Sequence, residues 1–177
     1  QSSTNSSVYG DQITFSAKVS AALGIPDGTV RFFADANLIG TADLSDGQAT
    51  ISTELLNAGS RVITVEYGTN GGYWTSTSSQ FKQVITKAPQ NIFWTVPQSI
   101  SLGTAIGTSQ LTGSVAGITG GSDPGTLSYD VPLGTVLSRG SHNITVTASE
   151  TDNYLQTTKT IKLWVNDYYP DPNPSPG

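Results

Sequence analysis

The sequence has no cysteine and no methionine, a single histidine, and only 8 Lys+Arg among 177 residues. Each shortage removes a class of function. Without cysteine there is neither a disulfide framework nor a thiolate metal site. That absence fits an exported bacterial protein. With so few basic residues and a net charge of −5, no basic stripe exists to neutralise phosphates, so nucleic acid is not an expected partner. No apolar run approaches 18 residues, so membrane insertion is not expected. No ten-residue stretch carries apolar residues at 3.6-residue spacing, which argues against helices. With no initiator methionine and no visible signal peptide, the chain reads as an excerpt or a processed product.

What is abundant is glycine, serine, threonine, valine and isoleucine, the composition of pleated, half-buried strands and tight turns. One sentence of sequence is written twice. "AGSRVITVEYGTNGGYW" (58–74) returns as "RGSHNITVTASETDNYL" (139–155). Gly59 aligns with Gly140, Ile63-Thr64-Val65 with Ile144-Thr145-Val146, Tyr73 with Tyr154 and Thr77 with Thr158. The offset is constant (140 − 59 = 81; 154 − 73 = 81). Upstream, "PDGTVRF" (26–32) resembles "DPGTLSY" (123–129) at an offset of 97 (125 − 28). The second copy has therefore lost about sixteen residues in its middle, the length of two strands and a turn.

Alternation places the strands. In "ITFSAKVS", Ile13, Phe15, Ala17 and Val19 share one face. Val30 and Phe32 pair likewise, as do Ala49 and Ile51 after an Asp-Gly turn, then Ile63, Val65 and Tyr67, then Phe81 and Ile85. In the second copy "NIFWTV", "TSQLTGSVA", "GTLSYDV", "SHNITVTAS" and "TTKTIKLWV" read as strands, and "GITGGSDPG" as a flexible loop. Short strands every eight to twelve residues indicate an all-β chain built from sandwiches. The boundary falls near "VITKAPQNIFW". It gives one sandwich over 1–86 and a trimmed one over 88–167, joined by a short linker. The segment 168–177 has proline at alternate positions and reads as an extended tail or linker.

The order "VYG-x-x-ITF-x-A-x-V", "G-x-P-x-GTV-x-F", "LIGTA-x-LS-x-GQATIST-x-L-x-AG" and "ITVEY" over residues 8–86 resembles the bacterial Ig-like domains of group 3. The second unit is similar to the shorter Ig-like repeats found beside them. The resemblance implies two tandem Ig-like β-sandwiches in a bacterial extracellular or cell-surface protein. It also implies a role as spacer, stalk or adhesion module. Where such domains commonly carry "GD" after "YGT", this chain has Asn70-Gly71-Gly72, so ion binding through that aspartate is not implied here. The Cys-Trp-Cys signature of antibody domains is also missing, which leaves Phe15, Phe32 and Tyr129 to fill the core.

No constellation for catalysis emerges. His142 opens a strand with no partner acid or nucleophile suggested by spacing, and there is no G-x-S-x-G elbow. The chain is not expected to be an enzyme. Asp43, Asp46, Asp123, Glu150 and Asp152 lie at turns. They are read first as solvated turn residues, with a structural calcium as the alternative, and otherwise no cofactor is expected. Lys18 and Lys82 have outward parity and Lys159 stands at a strand start, which argues against a buried lysine crosslink. The residues that offer ligand contact are Tyr73, Trp74, Trp94 and Trp164, weighed against packing. Tyr73 recurs as Tyr154, and Trp74 recurs as an apolar Leu155, so both point to partial burial. Trp94 sits beside the domain joint, and strand parity turns Trp164 outward, towards Tyr168 or Tyr169.

The leading expectation is a non-catalytic spacer in a monomeric chain whose partners are neighbouring domains. The alternatives are an adhesin module that binds a glycan or surface receptor through exposed Trp and Tyr, and an accessory module of a secreted hydrolase.

Overall fold

Alternating apolar and polar residues build fourteen strands and no helix among the described residues. A computed structural model describes residues 1–68, 74–95, 97 and 99–167. The chain divides into two compact units, Gln1–Ala88 and Pro89–Gly177. The fold is all-β, as two tandem sandwiches.

The first unit contains β1 (Ser6–Val8), β2 (Ile13–Lys18), β3 (Thr29–Ala34), β4 (Asn37–Asp43), β5 (Gln48–Thr53), β6 (Gly59–Gly68), β7 (Ser76–Thr77) and β8 (Phe81–Thr86). One sheet runs β1-β8-β6-β3-β4, with β7 also on β6; the other pairs β2 with β5. A further bridge, Ser2 to Phe15, adds the N-terminal residues to β2. The inward rows are those that alternation places there: Ile13 and Phe15, Val30 and Phe32, Ala49 and Ile51, Ile63 and Tyr67, and Ile85 are all buried. Each such side chain contributes about 1.5–3 kcal/mol of transfer free energy. The Asp-Gly turn forms as expected. Ser45 and Gln48 exchange both backbone hydrogen bonds around Asp46 and Gly47, which have φ of 51° and 72°.

A second two-residue turn carries no glycine. Between β3 and β4, Asp35 and Ala36 both take positive φ (49° and 67°). The left-handed region costs an ordinary residue on the order of 1 kcal/mol. The Asp35 carboxylate offsets that cost by accepting the Val62 N–H at 2.8 Å and the Arg61 guanidinium at 2.9 Å.

The second unit contains β9 (Asn91–Phe93), β10 (Ile100–Ser101), β11 (Ser114–Ala116), β12 (Leu127–Tyr129), β13 (Gly140–Ala148) and β14 (Thr157–Asn166). Its sheets are β10-β14-β13-β12 and β9-β11. Trp94, Ile100, Ile106, Ile144, Val146, Ile161, Leu163 and Val165 form one core. Tyr154 is fully buried, and its hydroxyl accepts the Ile118 N–H at 2.9 Å. A Cβ on Gly117 would collide with its ring, so glycine is required there. "TSQLTGSVA" is not one strand: Gln110 Oε1 accepts the Gly107 N–H and its own N–H closes onto Gly107 O, turning the chain before β11. "NIFWTV" likewise stops pairing after Phe93, because Trp94 turns into the core.

The two units share one plan. β1 lies parallel to β8, and β10 lies parallel to β14. Gly59 and Gly140 open equivalent strands at φ of 122° and 117°, a region closed to β-branched residues. Between β12 and β13 no strand intervenes, where the first unit has β4 and β5. The offset of 81 holds only to Thr77 and Thr158. Gly59 pairs Ile85 and Gly140 pairs Val165, so beyond Thr77 the offset is 80 (165 − 85). The first unit thus carries one extra residue between β7 and β8. That bulge is closed by Ser78, whose N–H reaches Val65 O while its Oγ accepts the Val65 N–H.

The shifted register pairs Gln83 with Leu163 as equivalent residues. Both point inward and are fully buried, but Gln83 Oε1 makes no hydrogen bond, nor does the buried Ser7 Oγ. An orphaned buried acceptor costs about 1–3 kcal/mol. Gln83→Leu should therefore raise the stability of the first unit by about 1 kcal/mol. This is read as a later first-unit transition in urea denaturation of the full chain; a loss of stability would show that the amide is satisfied in solution.

Candidate functional site

The aromatic candidates separate by strand parity and loop position. Trp94 follows β9 and is only 4 % exposed. Its Nε1 donates to Gln110 O at 3.0 Å, and its ring meets Tyr129 edge-on with centroids 5.2 Å apart at 76°. Tyr129 is fixed in turn, its hydroxyl accepting the Gly113 N–H at 2.8 Å. With both its N–H and its faces occupied, Trp94 packs the core. Trp164 points outward from β14 opposite Ser141 and is 53 % exposed. Trp74 is 94 % exposed, more than its alignment with Leu155 implies. Leu155 itself is half exposed. Tyr73, Asn70-Gly71-Gly72, Tyr168 and Tyr169 lie outside the described residues.

The first unit has a cleft of about 900 Å³ at one flank of its sandwich. Phe15, Phe32 and Tyr67 reach its floor, while Lys18, Gln48 and Ser78 stand among its polar lining. Gln1 and Ser2 form one wall, where the Gln1 ammonium donates to Ser16 O at 2.7 Å. No carboxylate lines it.

Electrostatics is sparse and local. Arg31 pairs with Glu66 at 2.8 Å on an exposed face and lies over the Phe33 ring, 5.8 Å from its centroid. Such exposed pairs contribute about 0–1 kcal/mol. The Asp35 carboxyl is held below the ordinary carboxylate range by the Val62 N–H first and the Arg61 side chain second. His142 Nε2 lies 2.7 Å from Ser138 O, a local tie at the start of β13. Asp43 accepts the Thr29 hydroxyl at 2.9 Å. Asp46, Asp123, Glu150 and Asp152 are exposed, and the described residues contain no group of three His, Asp or Glu able to hold a metal ion.

Gly59, the positive-φ glycine that opens β6, is among the residues that carried the sequence resemblance. The first unit matches the bacterial Ig-like domain (group 3) over residues 1–86. No curated protein matches the chain. Among solved structures, it is similar to the fibronectin(III)-like modules of Clostridium thermocellum CbhA at 15% identity and a TM-score of 0.38, covering 92% of this chain and 90% of that one. Within the first unit, Gln83 is the feature that sequence reasoning missed. Its neighbours Phe81 and Ile85 announced an inward row, and the polar residue between them shares their parity.

Two measurements follow from these placements. In single-tryptophan variants, acrylamide should quench Trp74 and Trp164 strongly and Trp94 weakly; equal quenching of all three would contradict the burial of Trp94. For Asp35, the folded-state pKa is the depressed one. Its stabilisation is therefore complete above the unfolded carboxylate value of about 3.9 and fades as pH falls through the folded value. The stability difference between wild type and Asp35→Asn should close below about pH 4. A difference independent of pH would mean that the charge contributes nothing.

Proposed function

We propose that the chain is a non-catalytic structural spacer of a bacterial extracellular or cell-surface protein, with neighbouring domains of a larger chain as its main partners. The observation that carries this reading is the parallel pairing of the first and last strands of the first unit. Because β1 and β8 run in the same direction, the chain enters the pairing at one end of that ladder and leaves it at the other. Tension applied through the two ends of the unit loads the β1–β8 hydrogen bonds in shear, so they must fail together. In the second unit β10 and β14 also run parallel, but β9 precedes β10 and pairs with β11. An antiparallel closing pair would be peeled apart one bond at a time. The match of residues 1–86 to the group 3 Ig-like model supports the bacterial setting. The sparse charge and the lack of a paired acid, base or nucleophile among the candidate residues are consistent with a mechanical role.

The ladder supplies the test. Tyr9 donates to Thr86 O at 2.9 Å while Val8 donates sideways to Asp11, so alternation turns the Ser7 N–H towards β8. Ser7→Pro removes that donor. In single-molecule pulling of the full chain, Ser7→Pro should lower the rupture force of one unfolding event and leave the other unchanged. An unaltered force for both events would remove the mechanical argument for the spacer.

A further inference from the structure

We propose that the outer face of β13 and β14 is a binding platform for an extended, uncharged polysaccharide, with Trp164 as its stacking residue. The register sets out this face rung by rung: Ser141 opposite Trp164, Asn143 opposite Lys162, Thr145 opposite Thr160, and Thr147 opposite Thr158. Ser128 of β12 joins the row beyond Thr147. The partners of these residues on the inner face are the buried Ile144, Val146, Ile161, Leu163 and Val165, which hold the ladder flat against the core.

The chemistry of the outer face is narrow. Four threonines, two serines, one asparagine, one lysine and one tryptophan make up the ladder, and beside it the exposed Asp130 carboxylate accepts the Thr145 N–H at 2.9 Å. The chain carries 13 Asp+Glu against 8 Lys+Arg. Uncharged donors and acceptors match a ligand built of hydroxyl groups. The Thr145 and Thr160 hydroxyls lie 2.9 Å apart, so each orders the other before any ligand arrives. An indole half exposed on a sheet offers a flat apolar surface and a single N–H donor. That is the combination a pyranose ring, apolar on its faces and polar at its rim, can stack upon. From Thr158 to Trp164 the face runs about 20 Å at roughly 3.4 Å per residue, long enough for a chain of sugars rather than one. With one large apolar group, one lysine and the Asp130 carboxylate tied to Thr145, it does not resemble a protein interface core or a phosphate-binding stripe.

The fold does not require these residues, and the first unit is the control. At the equivalent positions it keeps Ser60, Thr64, Thr77 and Lys82, but has Val84 for Trp164, Val62 for Asn143 and Glu66 for Thr147. There Glu66 is tied to Arg31, and both valines are exposed. On a shared set of hydroxyls, the same scaffold therefore accepts two valines and an ion-paired glutamate in one copy and an indole, an asparagine and a threonine in the other.

The experiment is affinity electrophoresis of the full chain in gels containing a neutral β-glucan, xylan or galactomannan, with polygalacturonate as the anionic counterpart. At least one neutral polysaccharide should retard the chain. Trp164→Ala should weaken that retardation about tenfold, and Trp164→Phe less. The near-isosteric pair Thr145→Val and Thr160→Val should weaken it while far-UV circular dichroism stays unchanged. Trp74→Ala should migrate as wild type. The proposal is overturned if no neutral polysaccharide retards the chain, if Trp164→Ala binds as wild type, or if only polygalacturonate binds and Lys162→Gln abolishes it. None of these outcomes bears on the rupture force that tests the spacer.

Discussion

Both sandwiches depend on a parallel ladder between an early strand and the last one. β1 cannot pair with β8, nor β10 with β14, until every strand between them has been laid down. The pairing joins residues 78 positions apart in the first unit (84 − 6) and 65 in the second (165 − 100), and loop-closure entropy must be met before it forms. What meets that cost is the inward row of the neighbouring long strand. Ile63 and Tyr67 on β6 are buried against the opposite sheet, and Ile144 and Val146 hold the equivalent row on β13. These strands then present a complete edge to β8 and to β14. The glycines at φ near 120° that open them set the direction in which that edge starts.

Much of this was legible because period-two alternation is a direct image of a half-buried sheet. Ile13, Phe15, Val30, Phe32, Ala49 and Ile51 are inward as read, and Asp46-Gly47 turns where an Asp-Gly pair should. The misses have distinct physical origins. The Asp35-Ala36 turn was invisible because its stabilising partners, Arg61 and Val62, lie on a strand far along the chain. The turn at 107–110 was hidden because a glutamine side chain, rather than glycine or proline, closes it. The change of offset from 81 to 80 could not be seen either. A bulge inserts one residue without disturbing composition, and Ser78 replaces the lost ladder bonds with its hydroxyl.

The candidate residues follow the same division. Trp164 was placed outward correctly by parity alone, since its strand is regular over ten residues. Trp94 stands where β9 ends, so parity had no regular strand to act on, and its core position rests on Gln110 and Tyr129, which sequence spacing does not bring near it. Trp74 lies outside any strand, and the apolar residue aligned with it carried no information about exposure there. Gln83 is the reverse case. Its parity was plain, and only its polarity argued against burial.

Comparing the two copies by structural register rather than by sequence offset separates what the fold demands from what it leaves free. Inward positions stay bulky: Phe81 corresponds to Ile161, Gln83 to Leu163 and Ile85 to Val165. Close packing penalises large departures in volume there. Outward positions are freer: Ser60 and Ser141, Thr64 and Thr145, and Lys82 and Lys162 agree, but Val84 becomes Trp164 and Glu66 becomes Thr147, because solvent tolerates either. A large ring on a solvent-facing strand contributes little to packing and exposes apolar surface to water. The two copies therefore share their mechanical frame through the inward rows and the closing ladder. Any chemistry that distinguishes them has to reside on the outer face of the sheet.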